Sequence, residues 1–175
     1  MVIRVLLTVV AADRSGLVEQ IAEAVAKEGG SWSGSRMCRL GGQFAGIVEA
    51  EIPADALPAF RETMDSMRLA GIRVDCAEMG PADAPTGSWE PVIIEVVAND
   101  RPGIVRQISA CLARLGVNVE DFVTECVSAP MTGDPLFRAR AIVRPPAGCE
   151  AHAIREALEA AGEDWMVEVA AQVPK

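Results

Sequence analysis

VVAADRSGLVEQIAEAVAKEGG (residues 9–30) and EVVANDRPGIVRQISACLARLG (residues 95–116) are one passage written twice. An offset of 87 residues brings Asp13 onto Asp100, Arg14 onto Arg101, Gly16 onto Gly103, Val18 onto Val105, Gln20 onto Gln107 and Ile21 onto Ile108. Self-similarity at so long a period marks a chain built from two related units.

The patterning around each passage has the same order. In the first copy Ile3, Val5, Leu7 and Val9 alternate as a strand does. Leu17, Ile21, Ala24 and Val25 then recur at helical spacing. Two further strand-like runs, SWSGSRMCRL and FAGIVEAEI, flank Gly41-Gly42-Gln43, where paired glycines suit a tight hairpin. After Pro53, Leu57, Phe60, Met64 and Met67 predict a second amphipathic helix, and IRVDCAEM a last strand. In the second copy PVIIEVVA leads into a helix on Ile104, Ile108, Cys111, Leu112 and Leu115. VNVEDFVTECV and LFRARAIVR follow around APMTGDP, then a helix on Ile154, Ala157, Leu158 and Ala161, and the strand WMVEVAAQV.

Both copies therefore read βαββαβ, the split βαβ unit. The expected fold class is α+β, with two ferredoxin-like units, each a four-stranded antiparallel sheet carrying two helices on one face. Residues 1–79 form the first unit, 80–89 a linker rich in Pro, Gly and small residues, and 90–175 the second.

Composition narrows the functional classes. Half the residues are apolar and 23% are charged, so a packed core is expected and disorder is not. Arg4, Glu49, Glu51 and Glu95 interrupt the richest apolar stretches, so no membrane span is expected. The five cysteines, Cys38, Cys76, Cys111, Cys126 and Cys149, are odd in number and lack a CxxC pair. They read as reduced small hydrophobes of a cytoplasmic protein. The net charge is -9, and residues 1–80 and 81–175 are each acidic, against direct nucleic-acid binding. One His, His152 beside Glu150, no Tyr and no His/Cys cluster leave little for catalysis or for a metal, and no cofactor is expected. In the second copy, Asp121 and Glu125 alternate onto one strand face with Glu120 opposite, a solvated or interface strand rather than an acid/base pair. Trp32, Trp89 and Trp165 read as core or interface anchors.

The sharpest motif is the turn after each first strand, Ala12-Asp13-Arg14-Ser15-Gly16-Leu17 and Asn99-Asp100-Arg101-Pro102-Gly103-Ile104. Pro102 suits a first helical turn, and Asp or Ser there accepts from orphan backbone donors. Gly16 and Gly103 leave the backbone bare where a helix start offers N–H groups and partial positive charge, which favours an anionic group such as a carboxylate.

Two such turns in register within a βαββαβ frame resemble the ACT domain family over nearly the whole chain. The resemblance implies a regulatory, non-catalytic module that binds amino acids or similar small ligands, usually at an interface between two such units. It implies ligand contacts from Asp100, Arg101, Pro102, Gly103 and Ile104, and from Asn118, which opens the second strand of copy two. In copy one the corresponding loop residues are Asp13, Gly16 and Leu17, but Ser31 stands where Asn118 would be, beside the bulky Trp32. Copy two is therefore expected to carry the fuller site and copy one to serve as partner or scaffold. A stand-alone tandem chain of this size, with SRMCRLGGQFAG and NVEDFVTE, is similar to the glycine cleavage system transcriptional repressor family. That similarity implies a regulator responsive to glycine or a serine-like amino acid, acting through a DNA-binding activator protein and not on DNA, and a homodimer. The alternative is a non-catalytic interaction module whose ligand site is vestigial.

Overall fold

The computed structural model describes residues 1–80, 90–129 and 133–171. The chain divides into two compact units, Met1–Ala84 and Pro85–Lys175. The expected linker, apart from Gly80, lies outside the described residues, as do Trp89, residues 130–132 of the second hairpin turn and the end of the last expected strand.

Unit one runs β1 (Val2–Ala12), α1 (Leu17–Lys27), β2 (Ser31–Leu40), β3 (Gln43–Pro53), α2 (Leu57–Ser66) and β4 (Ile72–Glu78). Unit two runs β5 (Val92–Asn99), α3 (Ile104–Arg114), β6 (Asn118–Ser128), β7 (Pro135–Arg144), α4 (Ala151–Glu159) and β8 (Met166–Ala171). The sheet orders are β2-β3-β1-β4 and β6-β7-β5-β8, antiparallel throughout. This is the ferredoxin-like α+β fold, twice.

The alternation read in the sequence decides which face packs. Val5, Leu7, Val9 and Ala11 of β1 are buried and share one core with Leu17, Ile21 and Val25 of α1 and with Phe60 and Met64 of α2. In unit two, Val92, Ile94, Val96 and Ala98 do the same with Ile104, Ile108 and Leu112 of α3 and Ile154 and Leu158 of α4. Each such side chain contributes about 1.5–3 kcal/mol on burial, so the helix stripes hold the layers together.

Local departures have identifiable causes. The first hairpin closes with Leu40 opposite Gln43, leaving Gly41 (φ 57°) and Gly42 (φ 75°) as a two-residue turn that needs positive φ at both places. The helix expected through Met67 ends at Ser66, and Met67–Ala70 tighten into a 3₁₀ turn. α4 stops at Glu159, short of Ala161, which still packs against the core. Register shifts between Trp32 and Gly34 and between Val119 and Asp121 place a β-bulge at Ser33 and at Glu120, the same site in each copy.

Candidate ligand-binding site

In both copies the backbone after the first strand is built alike. The Asp13 N–H donates to Gly42 O and the Asp100 N–H to Pro135 O, each at 3.0 Å, fastening the strand end to the neighbouring hairpin. Gly16 and Gly103 then adopt φ 85° and 87° and serve as the N-caps of α1 and α3. That conformation, rarely open to other residues, sharply turns the chain into the helix. A Cβ on Gly103 would meet no atom within 4 Å, so it is the backbone angle rather than crowding that calls for glycine.

This geometry corrects the expectation of side-chain capping. Pro102 lies ahead of the N-cap and not in the first helical turn, and neither α1 nor α3 receives a side-chain cap. A glycine N-cap has no oxygen to offer. The start of α3 thus lacks the usual carboxylate or hydroxyl cap, and its first amide, of Ile104, donates instead to Arg101 O at 3.4 Å. Leu17 and Ile104 are buried in their cores, so at these positions only the backbone can contact a ligand.

The two aspartates differ in what they hold. In copy one, Arg39 Nε donates to Asp13 Oδ2 and forms an ion pair with it. Arg39 sits on β2 opposite Phe44; on β6 the corresponding residue, opposite Phe137, is Cys126. Cys126 stands near Asp100, and the ionisation of its thiol is pushed up, first by desolvation and then by the neighbouring Asp100 carboxylate. Among the described residues no Arg or Lys pairs with Asp100.

Arg14 and Arg101 turn toward the loop before the last strand of their own unit. Arg14 donates to Ala70 O at 3.0 Å. Arg101, half-buried, lines a groove with Gly162, Glu163 and Asp164, and its buried Nε has no hydrogen-bond partner. The Asn99 N–H donates to Asp164 Oδ2 at 3.0 Å and, as the leading cause, holds that carboxyl below its ordinary value; the charge of Arg101 acts in the same direction.

Asn118 is not brought to this loop within unit two. It pairs with Arg144 at one end of β7, whereas Asp100 is fastened to Pro135 at the other. Between Arg144 and Pro135 the strand advances about 30 Å at ~3.3 Å per residue. One small ligand cannot touch both in a single unit. The bulge also corrects the expected placing of Glu120. It turns that carboxylate onto Asn118 Nδ2 (2.6 Å) and onto Arg144, whose Nε lies 2.9 Å away and whose second nitrogen forms an ion pair with it. Because an ionised carboxylate only accepts, Asn118 presents its amide nitrogen to Glu120 and its carbonyl oxygen elsewhere.

Repeat alignment alone sets Arg39 against Cys126, but no sequence signal ties either of them to an aspartate. Asp164 and Arg144 carry no motif at all. His152 is exposed, with Nδ1 3.2 Å from Glu150 Oε2. Among the described residues no three His, Cys, Asp or Glu side chains gather to hold a metal, and no helix is long and apolar enough to cross a membrane.

Solved structures share this architecture along its whole length. A protein of unknown function from Galdieria sulphuraria superposes with a TM-score of 0.83 at 25% identity, over 99% of this chain and 100% of its own. The chain carries the ferredoxin-like βαββαβ fold twice in tandem. A second full-length match, provisionally assigned as a glycine cleavage system transcriptional repressor, has a TM-score of 0.73 at 16% identity, over 98% of each chain. At that identity the fold, two βαββαβ units in tandem, is what the two have in common. No family model and no curated protein matches the sequence.

Proposed function

We propose that this tandem ACT-fold protein is a non-catalytic sensor of a small amino acid, with the ligand loop of unit two as its principal site. The observation that carries the reading is the juxtaposition of Asp100 with the uncapped start of α3. A carboxylate and the N–H groups of a helix start that lacks a side-chain cap, at the positive end of the helix, are the two poles that an α-ammonium and an α-carboxylate require. Glycine and serine-like amino acids fit this loop better than large apolar ones, since Asp100, Pro102 and Gly103 are exposed to solvent. Asn118, with its carbonyl oxygen turned away from Glu120, serves a ligand held at the other end of the sheet. Its distance from Asp100 makes the full site one shared across an interface, in keeping with a homodimer. By its likeness to the glycine cleavage repressor-like structure, the protein acts in the cytoplasm by contact with a DNA-binding activator protein, and its acidity suits protein contact better than DNA contact.

The test is calorimetric titration and thermal unfolding with glycine, L-serine and the other amino acids. A ligand bound only by the folded state stabilises it by about 2.7 kcal/mol at a hundredfold excess over Kd. A chain whose melting temperature no amino acid raises at millimolar concentration is not a sensor. The separation of Asn118 from Asp100 would then favour the second reading, an interaction module with a vestigial ligand site.

A further inference from the structure

Resting on that reading, we infer that Arg39 closes copy one to amino acids and that Cys126, at the same place in copy two, leaves Asp100 open as the acceptor of the ligand's α-ammonium. The two positions are equivalent by register, one opposite Phe44 and the other opposite Phe137. Their loops are equivalent by backbone, fastened through Asp13 and Asp100 to the adjacent hairpin and turned by glycines of nearly equal φ. With the frame held constant, the side chain facing the aspartate is what differs. In copy one a guanidinium already holds Oδ2 of Asp13, doing what a ligand ammonium would do. A second cation there would meet a carboxylate whose charge Arg39 already offsets. In copy two the residue at the same register position is Cys126, an uncharged thiol near Asp100, so an ammonium can take the charge-assisted hydrogen bond that Arg39 occupies in copy one. The asymmetry selects cationic amines: a carboxylate lacking the amine has nothing to gain from Asp100.

Exchanging the two residues tests this. Cys126→Arg transplants the closing residue into copy two, and Arg39→Cys removes it from copy one. Both positions are exposed, and circular dichroism checks that each variant keeps its fold. Titration with glycine, and with acetate as the analogue without the amine, is expected to show one glycine per wild-type chain and much weaker acetate binding. Cys126→Arg is expected to weaken glycine at least tenfold, Asp100→Asn to do the same without adding bulk, and Arg39→Cys to add a second, weaker binding event. Glycine binding that survives both Cys126→Arg and Asp100→Asn overturns this inference and leaves the sensor reading standing. So does an Arg39→Cys chain that still binds one equivalent. A wild-type chain that binds no amino acid overturns both.

Discussion

Replacing Gly103 with alanine isolates the cost of the backbone turn that sets up the ligand loop. At φ 87° an L-residue with a Cβ is strained, and the space around that Cβ is empty to 4 Å, so no steric clash adds to the cost. The left-handed conformation costs alanine about 1–2 kcal/mol. Against this, alanine restricts the unfolded chain and returns about 0.4–1 kcal/mol. The net loss is about 1 kcal/mol, and for a domain of ~60–100 residues that lowers Tm by ~4–8 °C. Gly103→Asn should fall less, because asparagine tolerates positive φ better than other side chains. Gly16→Ala should reproduce the loss in unit one, since its Cβ meets Gln20 and Glu19 only at an ordinary 3.8 Å. Scanning calorimetry of the variants reads these shifts. A Gly103→Ala chain that melts at or above the wild-type temperature, or a Gly103→Asn chain that loses as much as alanine, would refute the argument from φ.

Phe60→Ala empties a fully buried site and should destabilise unit one by about 3–5 kcal/mol, measured by urea unfolding; a loss under ~1 kcal/mol would mean that α2 does not seal that core. Asn118→Ala should weaken amino-acid binding more than Ser31→Ala in parallel titrations, and equal effects would contradict the assignment of copy two as the principal site. Asp164 has a depressed pKa in the folded chain, so its contribution is present above the unfolded value of 3.8 and is lost as pH falls through the lower folded value. Asp164→Asn should accordingly be less stable than wild type near neutrality and converge with it in acid; a difference that does not vary with pH would exclude the charge as its source.

Strand alternation and helical spacing were enough to foresee both sheets, the helix faces and the glycine hairpin, because those patterns report burial directly. Nearly every residue named in advance for the first strands and helices lies in its core, from Val5 to Leu158. What the patterns do not carry is side-chain pairing between distant segments. Arg39 meets Asp13 only once the hairpin register and the loop conformation are both set, and a shift of one residue would send Arg39 to the other face. The turn motif suggested capping by Asp or Ser, yet the left-handed glycine took the N-cap position and gave the aspartates to partners across the sheet. Asn118 and Asp100 share a unit but sit at opposite ends of parallel-running β6 and β5, a separation that motif matching by itself does not measure. The bulge at Glu120 broke the simple alternation that had placed Glu120 opposite Asp121.

That bulge also sets how the sheet can grow. β2 and β6 are each the outermost strand on their side of their own sheet, the kind of edge that recruits foreign strands. At a bulge the ladder is disrupted and the twist increases, so a strand laid along β6 would find regular hydrogen-bonding partners only from Asp121 to Ser128, about 23 Å at ~3.3 Å per residue. Both copies interrupt the edge at the same rung although Ser33 and Glu120 have nothing chemical in common. The interruption therefore limits strand addition along β2 or β6 to one short, defined stretch, and any assembly through those two edges inherits that length as its ruler.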